Sequence, residues 1–92
     1  MENAVIRIKT LCETENLSRE QLAEKTGIKY SRWHNLMNDR GKIKSDEIEA
    51  VGKAWPEYRI WIAYGDELPE AVQISPMTKK AQEDLGGAGK AG

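Results

Sequence analysis

The sequence predicts an all-α fold, a compact five-helix domain followed by a C-terminal tail. Three observations lead there. Apolar residues recur at three- and four-residue spacing through most of residues 3–65, helix start and stop signals interrupt that pattern at short intervals, and no run alternates with the two-residue period of a half-buried strand.

Val5, Ile8, Leu11 and Cys12 share one face of a first helix, from Asn3 to about Thr14. Ser18 and Gln21 form an S-x-x-Q capping box, with Leu17 before the cap and Leu22 after it as a hydrophobic staple, so a second helix runs from Arg19 to about Lys25. Gly27 supplies the residue without a Cβ that a sharp left-handed turn favours. A third helix, Lys29 to Asn38, turns Trp33 and Leu36 inward and leaves Tyr30, Ser31, Arg32, His34 and Asn35 outside. After a loop at Asn38–Lys42, Ser45 is placed to cap a fourth helix whose first turn carries Asp46 and Glu47, with Ile48, Val51 and Trp55 facing the core. Pro56 opens a fifth helix, Glu57 to about Tyr64, which Gly65 ends. Residues 1–65 are thus expected to form the domain. Residues 66–92, acidic at first and Gly-rich at the end, are expected to be a weakly ordered or dimer-associated tail, with a short helix from Ser75-Pro76 through Leu85.

Hydrophobic residues make up 39% of the 92 and charged residues 32%, the balance of a folded soluble domain. The single cysteine, Cys12, forms no internal disulfide and reads as a small buried hydrophobe, and no apolar run of membrane-spanning length or secretory layout occurs. A cytosolic protein is expected. The net charge is only −1, but it is unevenly placed: residues 1–44 carry nine Lys/Arg against six Asp/Glu, residues 45–92 five against nine. Lys29, Arg32, Arg40, Lys42 and Lys44 are opposed within their stretch by Asp39 alone. A local basic face therefore survives a neutral total, as a partner such as nucleic acid requires.

The stretch LSREQLAEKTGIKYSRWHNLMND resembles the Cro/repressor-type helix-turn-helix family of phage and bacterial transcriptional regulators, with Leu22-Ala23, Gly27, Ile28, Trp33 and Leu36 on family positions. Lys53-Ala54-Trp55 and Trp61-Ile62-Ala63-Tyr64-Gly65 extend the likeness over roughly residues 3–65. Three features depart from it. Thr26 stands where the family has an apolar residue, Trp33 where it has a smaller aliphatic one, and the loop after the third helix is longer by one and lacks a Glu-x-Gly. The resemblance implies that the third helix enters the major groove of duplex DNA, where each base pair shows a distinct pattern of donors, acceptors and methyl groups. It places Tyr30, Ser31, Arg32 and Asn35 at base edges. Ser18, Arg19, Lys29, His34, Arg40, Lys42 and Lys44 are expected at phosphates, where they position without specifying. It also implies a homodimer through Trp61, Ile62 and Tyr64 on a near-palindromic operator, in the cytosol of a bacterial or phage-infected cell.

The function expected is sequence-specific regulation of transcription, as a repressor of phage or prophage type. A rival reading is a helix-turn-helix fold that binds a protein through residues 57–85 and antagonises a host regulator. His34 is the only histidine and has no ligand set around it, so it reads as a surface residue near phosphate rather than a metal ligand. Trp33, Trp55 and Trp61 read as core rather than as a stacking platform for single strands. No acid–base pair, nucleophile with histidine, or metal cluster stands at usable spacing, so neither an enzyme nor a cofactor is expected.

Overall fold

Six α-helices form in a computed structural model that describes residues 3–91, with side chains described for 3–85; Met1, Glu2 and Gly92 lie outside the described residues. They are α1 (Ala4–Glu15), α2 (Arg19–Thr26), α3 (Tyr30–Met37), α4 (Ser45–Ala54), α5 (Arg59–Tyr64) and α6 (Pro76–Ala91). Short 3₁₀ turns at Pro56–Tyr58 and Pro69–Ala71 precede α5 and α6. The described residues contain no strand, only one isolated bridge between Leu68 and Gln73. None of their helices is long and apolar enough to cross a membrane.

Local chemistry sets the boundaries. The Asn3 side chain accepts the Ile6 N–H at 3.0 Å to start α1, and Asn16, left-handed at φ 57°, ends it. The expected capping box starts α2: Gln21 N–H donates to Ser18 Oγ at 3.1 Å and Ser18 N–H to Gln21 Oε1 at 2.8 Å. Gly27, at φ 75°, closes α2 by donating its N–H to Ala23 O. At α4 the expectation shifts by one residue. Lys44, not Ser45, holds the cap position, and its N–H is taken by Glu47 Oε1 at 2.8 Å, because Glu47 reaches back from the third helical position.

The core joins Ile8 and Leu11 of α1 to Leu22, Trp33, Leu36, Val51, Tyr58 and Ile62, each at most 1% exposed. Burying a side chain of this size stabilises the fold by about 1.5–3 kcal/mol. Two polar side chains tie α1 to α5 and to the turn before it. Arg7, itself buried, donates from Nε to Ile62 O at 2.9 Å and from Nη2 to Ala63 O at 3.3 Å, placing a cation at the carbonyl end of the helix. Tyr58 donates its hydroxyl to Glu15 Oε1 at 2.9 Å, and burial together with that carboxylate pushes its phenol well above the usual range.

Beyond residue 65 the helix expected from Ser75-Pro76 forms as α6 and runs on to Ala91, and the segment before it packs against the five-helix part of the chain. The chain turns back after Gly65 and buries Gln73, Ile74 and Ser75. Gln73 donates to Pro56 O at 2.9 Å and accepts the Ile60 N–H at 3.1 Å, while Ile74 N–H reaches Glu57 O at 2.9 Å. The physical reason lies at the start of α5, where the Ile60 N–H takes the Gln73 oxygen as its acceptor and Pro56 O adds the Gln73 amide to the Arg59 N–H it already accepts. Ser75 then caps α6 through the Thr78 N–H at 3.1 Å, and α6 lies along α1, tied to the 3₁₀ turn by Lys79 and Glu57 at 3.0 Å.

Candidate nucleic-acid interface

The aim of α3 is set by one hydroxyl. Thr26 Oγ1 donates to Leu22 O at 2.7 Å and accepts from the Ile28 N–H at 3.3 Å and from the buried Trp33 indole N–H at 3.0 Å. The end of α2, the turn and the inner face of α3 are thereby joined at a single atom.

On the outer face of α3, Lys29, Tyr30, Ser31, Asn35 and Asn38 are exposed. The Tyr30 ring stacks on His34 with centroids 5.8 Å apart and planes 22° from parallel. His34 is less open than expected. Its Nδ1 lies 2.8 Å from Arg19 Nη1 and its Nε2 3.1 Å from the Asn38 amide, so both ring nitrogens are engaged within the chain. Arg19 is correspondingly half-buried against α3, and the Ser18 hydroxyl and N–H are both taken by the capping box. Of the expected phosphate contacts, the side chains of Lys29, Arg40, Lys42 and Lys44 remain open to solvent.

Arg32 requires a correction. Expected at a base edge, it turns toward α4 and grips Glu47 with two bonds, Nε to Oε2 at 2.6 Å and Nη2 to Oε1 at 2.9 Å, and donates further to Lys42 O at 2.8 Å. Its planar fork matches a carboxylate, and Glu47, 8% exposed, has no solvent to turn to instead. The Arg32 hydrogen bonds hold the Glu47 carboxyl below the usual carboxylate range, while Glu47 raises the guanidinium. Arg32 thus fixes the loop that presents Arg40 and Lys42, with Asp39 and Gly41 left-handed at φ 60° and 82°.

The expected dimer residues also divide. Trp61 and Ile62 are buried within the chain, 6% and 0% exposed, and only Tyr64 is open, at 75%. The apolar surplus of α5 is covered by α1, α4 and Ile74. What remains outside is a groove of about 630 Å³ between α4 and α5, lined by Ile48, Gly52, Ile60, Ala63 and Tyr64.

Cys12 is partly buried, and burial pushes its thiol up to about 11, so it stays protonated at neutral pH. Among the described residues no three His, Cys, Asp or Glu side chains group as a metal site. Trp33, Trp55 and Trp61 are buried and present no stacking platform. Sequence reasoning gave Thr26, Asn38 and Glu47 no part in holding these residues in place. Glu47 carried a signal, since it stands three residues after the cap of α4.

The chain is a small, compact, all-helical domain with a polar, cation-flanked helix on its surface. No protein-family model and no curated protein matches it. Among solved structures it is similar to Pf6r from the filamentous phage Pf6 of Pseudomonas aeruginosa PA01, at 28% identity and a TM-score of 0.73, over 92% of this chain and 99% of that one. A share that large extends well past residue 65, so the likeness includes the segment that Gln73 fastens to the core.

Proposed function

We propose that the protein is a sequence-specific, double-stranded-DNA-binding regulator of transcription, of phage or prophage type, with α2 and α3 as a helix-turn-helix. The observation that carries this reading is the outer face of α3, where Tyr30, Ser31 and Asn35 stand exposed, with exposed Lys29 before them in the chain and exposed Arg40, Lys42 and Lys44 after them. Exposed amide and hydroxyl groups on a helix suit base edges, and lysines around them suit phosphates. Asn35 offers the paired donor and acceptor that adenine matches, and Tyr30 offers a ring to a thymine methyl. The similarity to a phage protein along almost the whole chain supports the phage setting, and repression is the sign of control that the family resemblance implies.

The same reading includes a homodimer. The α4–α5 groove supports it, because Glu49, Lys53 and Arg59 around its apolar floor offer both charge signs, which a two-fold contact between identical faces can pair. Two copies would set their α3 helices about one DNA turn, roughly 34 Å, apart. That groove also favours the second reading, in which the occupant is a different protein and DNA is not bound.

Selection of bound sequences from a random duplex library tests both. Enrichment of a palindrome, with affinity falling as salt rises by a slope of about −0.9 per phosphate contact, is the expected result. A chain that enriches nothing and binds duplex weakly at low salt overturns the proposal in favour of a protein partner.

A further inference from the structure

We propose that Asn38, locked by His34, is a further DNA-contacting residue that turns its amide NH₂ toward the duplex. The inference deepens the DNA-binding reading and rests on it. Its basis is the protonation logic of one ring. A guanidinium has no acceptor, so Arg19 Nη1, 2.8 Å from His34 Nδ1, can only donate there. Nδ1 is therefore the bare nitrogen and Nε2 carries the ring proton. The Asn38 amide, with Nδ2 placed 3.1 Å from Nε2, would add a second donor, and a neutral imidazole accepts only one. Turning the amide about its terminal bond resolves the conflict: its oxygen accepts the Nε2 proton, and its NH₂ is left facing away from the ring.

The placement suits contact. Asn38 is exposed at the end of α3, one turn beyond His34 and three residues after Asn35, beside the loop that carries Arg40 and Lys42. The Tyr30 ring stacks on the same imidazole. An amide free to flip offers DNA either a donor or an acceptor; one whose oxygen is held against the His34 ring turns its NH₂ outward. Its ligand is then an acceptor, either a phosphate oxygen or a purine N7 or O6 in the major groove.

The experiment pairs a spectroscopic measurement with binding. Nitrogen-15 spectra of the ring in the full chain at neutral pH should show the proton on Nε2. On the selected duplex, Asn38→Ala should bind about tenfold more weakly and Asn38→Asp, which replaces donors by a charge, about a hundredfold. His34→Gln, which keeps a donor for the Asn38 oxygen, should bind more tightly than His34→Ala. Removing charge from individual phosphates separates the two sources: a phosphate contact makes the Asn38→Ala loss vanish at one methylphosphonate, and a base contact makes it vanish at one substituted base pair. A ring protonated on Nδ1 overturns the proposal, as does Asn38→Asp binding like the unaltered chain on DNA that Lys44→Ala binds more weakly; DNA binding itself survives either result. Failure of the unaltered chain to bind any duplex overturns the reading beneath it, and the ring spectrum still reports the lock.

Discussion

The Trp33 indole N–H donates to Thr26 Oγ1 over 3.0 Å, so the two residues that depart from the helix-turn-helix pattern on facing helices are each other's partners. A larger side chain on α3 brings a buried donor with it, and a hydroxyl on α2 is the acceptor that donor needs. Thr26→Val, nearly isosteric, should destabilise by about 1–3 kcal/mol, because it strands the indole N–H in the core. Denaturant unfolding of Thr26→Val, Trp33→Phe and the double variant should give a coupling of about 1 kcal/mol. Strict additivity would show that the contact does not hold the two helices.

The Arg32–Glu47 pair has a pH signature. Glu47 has its folded-state pKa lowered, chiefly by the Arg32 hydrogen bonds, so its contribution is present above the ordinary carboxylate range and is lost as pH falls through the lowered value. Glu47→Gln should therefore lower the melting temperature at pH 7 and do so progressively less as pH drops below about 4. Thermal melts of both chains across that range check it; a constant gap at all pH values contradicts the linkage.

Arg32 and Asn35 should separate in binding. Asn35→Ala should cost about 1–3 kcal/mol on the preferred site and relax preference at one base pair. Arg32→Ala, which releases the Lys42 carbonyl and the loop, should weaken preferred and random duplexes alike, as Lys44→Ala should. Titrations on both duplexes decide; a position-specific loss for Arg32→Ala would return it to the base edges.

On α5, neighbouring residues should give opposite phenotypes. Ile62→Ala should cost about 2–5 kcal/mol of folding stability, as a fully buried residue does. Ala63→Glu, in the outer groove, should leave the melting temperature within a few degrees and abolish dimerisation in sedimentation at micromolar concentration.

Features carried by near neighbours were legible in the sequence. The Ser18–Gln21 box, the Gly27 turn and the inward pair Trp33 and Leu36 need only a few residues of context, and all three are found where spacing puts them. Arg32 was misplaced because a helical wheel gives the direction of a Cβ, whereas a long side chain can double back to a carboxylate fifteen residues on. Trp61 and Ile62 were assigned to a partner because the apolar excess of α5 was counted against helices before residue 65 only. Gln73 was invisible for a related reason. A glutamine in an acidic stretch carries no hydrophobic signal, and its partners are backbone groups that exist only once Pro56–Tyr58 has folded as a 3₁₀ turn.

Gln73 also sets where the chain can be cut. A fragment ending at Gly65, the natural choice from the motif, would keep every residue proposed to touch DNA and yet leave the Ile60 N–H without the Gln73 oxygen that accepts it and Pro56 O with the Arg59 N–H alone, with Ile74 gone from the core. A fragment that keeps these contacts therefore reaches at least to Lys79, and residues 66–79 are part of the packed domain rather than an appendage to it.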